Sequence, residues 1–477
     1  MRRAGLVAVA LLAAAACAVN PVTGRRELML LSQDQEIQLG RDNDELVVAE
    51  YGLYDDPELG EWIAQVGQTM AAASERPELP WTFRVVDDTI VNAFALPGGY
   101  IYMTRGILAY MNSEAEAVGV LGHEIGHVTA RHGAQRHTSA SLAQIGLGAG
   151  SVLSSEVRAL GGILQTGVGL LFLKFGRDDE LQSDQLGVRD AVGAGYDPRR
   201  LAAFFRTISA MSDAGGGRLP TWLSTHPAPD NRVERVLAAA EPLVAGRADL
   251  RVARESYLRR IDGIVFGPNP RQGVVVDGTF KHPDLLFQID FPDGWQLHNG
   301  RQAVVSAPES SDVIVGLTVG TMQGANLEAH ANAAMQERSA TSISGTRTSV
   351  SGLPAYRVRY SATSNEIEVR ASDVFVRYGE SVYDLIGYSR TALFDRHAGT
   401  IDRWQRSFRP LPQSEADRYH PDRLEVFAAP RAGLLSALLE AGPEASLDTL
   451  LLLNGVDADT RMERGTLIKR VRAGYRR

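Results

Sequence analysis

Apolar residues along this chain recur first at helical spacing and later at the two-residue spacing of strands, and the change of period divides it. Ser32 with Gln35 opens a polar helix near residues 33–51, and Leu59, Ile63, Val66 and Met70 mark a second, amphipathic helix. Trp81 to Val86 and Ile90 to Ala95 read as strands, and Pro97-Gly98-Gly99 turns the chain into a third, Tyr100 to Thr104. An edge strand there would pair with an extended peptide through its main chain. Ser113 and Glu116 form a capping box ahead of an apolar stripe at Val118, Leu121, Ile125 and Val128, which predicts a half-buried helix. Thr138 to Leu173 follows, rich in Gly, Ser, Leu and Ala, with only Glu156 and Arg158 charged. The two charges leave arms of about 18 and 15 residues, marginal for crossing a bilayer, so residues 138–173 are expected to form helices packed over the Ser113 helix as a lid. A membrane hairpin is the alternative.

Gly263, Gly267, Pro268, Pro270, Gly273 and Gly278 mark residues 261–279 as a linker. Beyond it the period becomes two, in Leu285, Phe287, Ile289 and Phe291, in Val313, Val315, Leu317 and Val319, and in Tyr356, Val358 and Tyr360 against Arg357 and Arg359. A helix with Phe394, Ile401, Trp404 and Phe408 on one side completes residues 280–410, expected to be an antiparallel sheet with a packed helix and an accessory role. A second linker, 411–421, leads to residues 422–477. These read as a strand from Arg423 to Phe427, helices at Leu434 to Leu439 and Leu447 to Leu453, and a closing strand from Leu467 to Val471.

At 477 residues the chain is too long for a single core. Its 49 basic and 57 acidic residues give a net charge of -8 without long runs of one sign, so no nucleic-acid surface is expected. Met1-Arg2-Arg3 and the apolar run Gly5 to Ala16 read as a secretory signal peptide over residues 1–16, too short for a stable span. Cys17, the only cysteine, follows Ala14-Ala15-Ala16 directly, as in a bacterial lipobox, although Ala14 stands where Leu is common. Lipidation at Cys17 is expected, with simple cleavage after Ala16 as the alternative. Either way the protein is expected to be exported to the periplasmic side. Ala18 after the cysteine resembles lipoproteins sorted to the outer membrane.

The chemistry concentrates in His123-Glu124-Ile125-Gly126-His127. Residues four apart share a helix face, so both imidazoles can reach one metal ion while Glu124 stands at its open side. Glu124 is the only charged residue between Glu116 and Arg131, and a buried carboxylate between imidazoles is costly unless a cation binds beside it. Two histidines leave a zinc ion short of the three protein ligands a catalytic site requires. Glu180, within Arg177-Asp178-Asp179-Glu180-Leu181-Gln182-Ser183-Asp184, is the candidate third, and Asp184 shares its helix face. The competing reading is a solvated acidic helix start, since Asp178 and Asp179 suit the positive end of a helix dipole.

His123-Glu124-x-x-His127, followed 53 residues later by Glu180-x-x-x-Asp184, resembles the HtpX-like and BepA-like zinc metalloproteases, relatives of the CAAX prenyl endopeptidases. Asn92 to Gly99, Gly195-Tyr196-Asp197-Pro198, and Ser224-Thr225-His226-Pro227 with Arg232 extend the resemblance over residues 20–245. It implies an α+β chain: a mainly helical zincin (gluzincin-type) protease domain at 17–260 with a small edge sheet, then the accessory domain. The segments Leu451-Leu452-Leu453-Asn454-Gly455 and Gly465 to Lys469 are similar to a LysM carbohydrate-binding module, here a degenerate βααβ form because Ala432-Gly433-Leu434-Leu435 replaces Gly-Asp-Thr-Leu.

The resemblance further implies one Zn2+ per chain, held by His123, His127 and Glu180, with Asp184 bonded to a ligand imidazole. Glu124 is then the general base, and Arg232 and His226 steady the oxyanion. His226 has a second implied role, as an inhibitory fourth ligand. Expected substrates are unfolded or misassembled envelope proteins. The module at 422–477 is expected to meet peptidoglycan or an envelope assembly partner. The alternative is a non-proteolytic envelope chaperone or scaffold whose metal site is closed by four protein ligands, and a third reading is a membrane-embedded protease built on residues 138–173.

Overall fold

The stripe at Val118, Leu121, Ile125 and Val128 belongs to a helix buried on every side, not on one. All 16 of its residues, Glu114 to Thr129, are buried. The stripe marks only its more apolar face; the other face carries Gly119, Gly122 and Gly126, against which further helices lie. The computed structural model describes residues 17–148, 174–214, 221–227, 231–364 and 367–474, so the expected signal peptide and the 149–173 part of the expected lid lie outside the described residues. The chain divides into two compact units, one of residues 1–268 with 422–477 and the other of 269–421.

The first unit begins with strands β1 (Cys17–Val19) and β2 (Arg26–Leu28) and helices α1 (Gln33–Tyr51) and α2 (Pro57–Ala71). Strands β3 (Thr82–Val86), β4 (Ala93–Leu96) and β5 (Tyr100–Thr104) form a three-stranded sheet in the order β3-β5-β4, with β3 parallel and β4 antiparallel to β5. Then come α3 (Arg105–Tyr110), α4 (Glu114–Thr129), α5 (His132–Gly148), α6 (Arg177–Gly193), α7 (Arg199–Ala214), α8 (Thr221–Thr225), α9 (Arg232–Val244) and α10 (Arg254–Ile261). Local chemistry sets the starts: α1 has the Ser32–Gln35 capping box, and α2 has Asp56 as its cap with Pro57 in the first turn. At α4 the Ser113 hydroxyl accepts from the Glu116 N–H, while the Glu116 carboxylate reaches back to the Asn112 N–H at 2.8 Å. No described helix is long and apolar enough to cross a membrane.

One hydrophobic core joins Leu59, Ile63 and Met70 of α2, Ile101 and Met103 of β5, Val118, Leu121 and Ile125 of α4, and Leu201, Phe204 and Ile208 of α7. Each such side chain contributes about 1.5–3 kcal/mol by leaving water. Leu424, Leu450, Leu453 and Ile468 of the C-terminal segment belong to the same core. There the strand Asp422–Ala428 pairs antiparallel with Leu467–Ala473, and the helix Leu447–Asn454 packs beside them. The segment also grips the turn that launches α4. Lys469 is fully buried, and its ammonium donates to the carbonyls of Ala109 and Met111, each at 2.8 Å. Burial, aided by Arg254, holds that ammonium well below the usual lysine range, and burial pushes the nearby Glu116 carboxyl up.

In the second unit, β6 (Val274–Val276), β7 (Thr279–His282), β8 (Phe287–Asp290) and β16 (Arg409–Pro410) make a four-stranded antiparallel sheet. Strands β9 (Gln296–Asn299), β10 (Ala303–Ala307), β11 (Val313–Thr321), β12 (Thr341–Val350), β13 (Leu353–Ser364), β14 (Ile367–Tyr378) and β15 (Ser381–Arg390) make a seven-stranded one, in the order β12-β13-β14-β15-β11-β10-β9. The same unit carries helices α11 (Leu327–Glu337) and α12 (Phe394–Arg406) and a four-residue helix at Gln413–Ala416. The period-two residues Phe287, Ile289, Val313, Val315 and Leu317 pack with Phe394, Ile401, Trp404 and Phe408 in one core. The chain is thus α+β, with helices dominating the first unit and antiparallel sheet the second.

Lys469→Met keeps most of the side-chain bulk but strips two buried carbonyls of their donor. It is expected to lower the stability of the first unit by about 2–4 kcal/mol, read from denaturant unfolding. An unchanged transition would contradict the role of the C-terminal segment as a brace.

Candidate metal centre

Helices α4 and α6 meet backbone to backbone. A Cβ added to Gly122 would lie 2.9 Å from the Gly187 Cα, one on Gly187 would lie 2.8 Å from the His123 nitrogen, and one on Gly126 would lie 3.1 Å from the Ser183 Cα. Only glycine allows that approach, and it brings the acidic face of α6 directly under the two histidines of α4.

His123 Nε2 lies 3.1 Å from His127 Nε2 and 3.5 Å from Glu180 Oε2, and His127 Nε2 lies 3.4 Å from Glu180 Oε1. His226, just past the short helix α8, brings Nδ1 to 3.0 Å from Glu180 Oε1 and 3.3 Å from His123 Nε2. These four buried residues offer ligand atoms that all lie within 4.8 Å of one another. A tetrahedral zinc ion with ligands at ~2.0–2.2 Å separates them by about 3.3–3.6 Å, close to the spacings here. Three imidazole nitrogens and a carboxylate are also a zinc donor set. Glu124 is fully buried, and among the described residues neither of its carboxylate oxygens has a hydrogen-bond partner, with His226 Nε2 3.7 Å from Oε1. The residues fit a metal ion, because two unpartnered buried oxygens beside converging ligand lone pairs are costly without a cation.

Around these four residues lies a supporting layer. Asp184 Oδ1 meets His123 Nδ1 at 2.9 Å, which leaves Nε2 as the nitrogen facing the other ligands. Arg232 Nε and Nη2 each donate to Asp184 at 2.8 Å, and Nη2 lies 3.0 Å from Glu180 Oε2. The guanidinium carbon lies over the rings of Phe205 and Trp222, at 4.1 and 4.8 Å, and among the described residues its Nη1 has no hydrogen-bond partner. Burial pushes the Asp184 carboxyl up, but Arg232 and His123 outweigh it and hold the group below the usual carboxylate range. At Glu180 burial is likewise overcome, by His226 and His127. Burial holds His127 well below the ordinary histidine value, so its imidazole is neutral, as a metal ligand must be.

His123, Glu124, His127, Glu180, Asp184, His226 and Arg232, singled out in the sequence, therefore meet in one cluster. Cys17 lies in β1, paired with Leu28 of β2. Three neighbours had no such signal. Trp222 stacks on His226 with ring centroids 5.1 Å apart, and Phe175 lies 3.9 Å from the His127 ring. An aromatic one helical turn before a candidate ligand was the available clue to Trp222. The third is His132, which a continuous helix would turn about 140° away from His127. In the structure α4 ends at Thr129, Arg131 takes φ 62, and His132 Nδ1 comes to 3.0 Å from His127 Nδ1.

Residues 57–240 match the model of peptidase family M48. Over 212 residues the chain is 30% identical to a beta-barrel assembly-enhancing protease of Yersinia pestis, covering 43% of each chain. It is 35% identical over 173 residues to the mitochondrial metalloendopeptidase OMA1 of Arabidopsis thaliana, covering 36% of this chain and 33% of that protein. With OMA1 of Schizosaccharomyces pombe it shares 30% identity over 224 residues, 45% of this chain and 64% of that protein. The chain spans about half the length of the curated relatives it matches.

Gly187→Ala puts a methyl group against the His123 backbone and should force α4 and α6 apart. Zinc affinity, measured by chelator competition, is expected to fall at least about tenfold, as when ligand-orienting contacts are lost. Wild-type affinity in that variant would contradict the close-packing account.

Proposed function

We propose that this chain, which belongs to peptidase family M48 through residues 57–240, is a zinc-dependent endopeptidase of the bacterial cell envelope that degrades misfolded or misassembled envelope proteins. The observation that carries the reading is Glu124, whose buried carboxylate has no hydrogen bond among the described residues and stands beside a set of potential metal ligands. A purely structural metal site has no use for such a group. The names of the relatives, assembly-enhancing proteases and metalloendopeptidases, support the same activity.

In this reading His123, His127 and Glu180 hold zinc in a zincin-type domain, and the metal supplies a Lewis acid that brings the pKa of a water molecule toward ~7. Glu124 accepts the proton of the attacking water and returns it to the leaving amine. Asp184 and Arg232 keep His123 and Glu180 in place. Of the two oxyanion donors, Arg232 offers only Nη1, since its other nitrogens are held by Asp184 and Glu180. His226 stands where a fourth ligand would stand, which supports its role as an inhibitory plug. Localisation to the periplasmic side, an anchor at Cys17 and a degenerate LysM-like module at 422–477 that meets peptidoglycan or an assembly partner complete the proposal.

The position of His226 also favours a second reading, a non-proteolytic chaperone or scaffold with a closed site. Casein cleavage with zinc analysis separates the two. Glu124→Gln is expected to retain zinc and lose at least about a hundredfold in cleavage, the size of a general-base contribution. Equal cleavage by both proteins would sink the enzyme reading. For the plug, His226→Ala should cleave casein faster than wild type; unchanged or slower cleavage would count against it.

A further inference from the structure

We infer that His132 is a positioning residue for the metal ligand His127, the middle link of a hydrogen-bond chain that ends on Gln182. The inference rests on the reading of His123, His127 and Glu180 as metal ligands. His127 Nε2 faces His123 and Glu180, so Nδ1 is its remaining nitrogen, and that atom lies 3.0 Å from His132 Nδ1. Two ring nitrogens at that distance share one hydrogen: one donates and the other accepts. The far end of the chain decides which. His132 Nε2 lies 2.9 Å from Gln182 Oε1, an oxygen that only accepts, so the His132 hydrogen sits on Nε2 and its Nδ1 is bare. His127 therefore donates from Nδ1, and its Nε2 lone pair is directed at the ligand cluster. The Ser183 hydroxyl, 3.3 Å from the same His132 nitrogen, is a second donor to it. His132 is only 2% exposed, so these groups rather than solvent fix its hydrogen.

The two histidine ligands are thus oriented by different chemistry. His123 donates to a carboxylate that Arg232 neutralises, whereas His127 donates to a neutral imidazole that ends on an amide. The Asp179 carboxylate, itself paired with Arg136 at 3.2 Å, lies 3.8 Å from His132 Nε2, beyond hydrogen-bond reach. The position of His132 depends on Arg131, whose left-handed backbone breaks the helix. The Arg131 side chain is anchored on α1, through Glu36 Oε1 at 2.6 Å, and on the Leu31 carbonyl at 2.8 Å, and Glu36 is shared with Arg76. That buried triad holds the reversal which swings His132 back under His127.

The test uses the full chain, with zinc affinity from chelator competition and the visible spectrum of the cobalt-loaded protein, and does not depend on proteolysis. His132→Phe keeps a ring but cannot accept; it should weaken zinc binding about 10–100-fold, the usual cost of losing a ligand-orienting partner, and shift the cobalt bands. Gln182→Leu should weaken binding in the same direction, while Gln182→Glu, which restores an acceptor, should bind at least as tightly as wild type. Zinc affinity in His132→Phe within about twofold of wild type would overturn the inference. So would equal weakening by Gln182→Leu and Gln182→Glu, which would signify packing alone. If His132→Phe fails to fold by circular dichroism, the Gln182 pair decides. A wild-type chain that takes up no zinc would overturn the ligand assignment itself, and this inference with it.

Discussion

The site depends on two helices that touch through glycine. Where α4 crosses α6, Gly122, Gly126 and Gly187 leave no side chain between the backbones. A glycine inside a helix costs up to about 1 kcal/mol relative to alanine, so three of them at one crossing are retained against their own helix propensity. The return is reach: Glu180 and Asp184, one turn apart, both arrive at His123 although carboxylate side chains are short. The same contact covers the glycine face of α4, where Leu201 of α7 and Met70 of α2 also meet Gly119 and Gly122, while Val118, Leu121 and Ile125 enter the core.

Burying that much polarity requires compensation. Glu124, Glu180 and Asp184 are three carboxyl groups, and among the described residues Arg232 is the guanidinium placed with them. A divalent cation supplies the balance, since the Glu124 oxygens have no hydrogen bond among the described residues and only the His226 ring, 3.7 Å away, as a charge partner. The imidazoles are therefore more than donors: each is aimed, His123 by Asp184 and His127 by His132. Trp222 and Phe175 shield the cluster from solvent and stack on His226.

How far the sequence discloses this arrangement follows from how local each signal is. The helix starts at Ser32 and Ser113 and the stripes of α2 and α4 are set within a few residues, and they stand where the patterns place them. The meeting of the candidate ligands His123, His127 and Glu180 is legible because spacing on single helices and the resemblance point to one place. The burial of α4 was misjudged because its second face is glycine, which carries no hydrophobic signal. His132 was missed because the break at Arg131 is imposed from a distance, by Glu36 and Leu31 roughly a hundred residues earlier. Nor does any local pattern reveal that Lys469 reaches the turn before α4. Long-range contacts of this kind leave no periodicity.

The central claim is that one metal ion is held where α4, α6 and the residue after α8 converge. Zinc K-edge X-ray absorption on the intact, zinc-loaded chain tests it most directly. The account predicts a single zinc with a nitrogen and oxygen shell at ~2.0–2.2 Å and clear imidazole scattering from up to three histidines, His123, His127 and His226. A shell of oxygen alone, without imidazole scattering, or a chain that retains no zinc after removal of the excess, would contradict it.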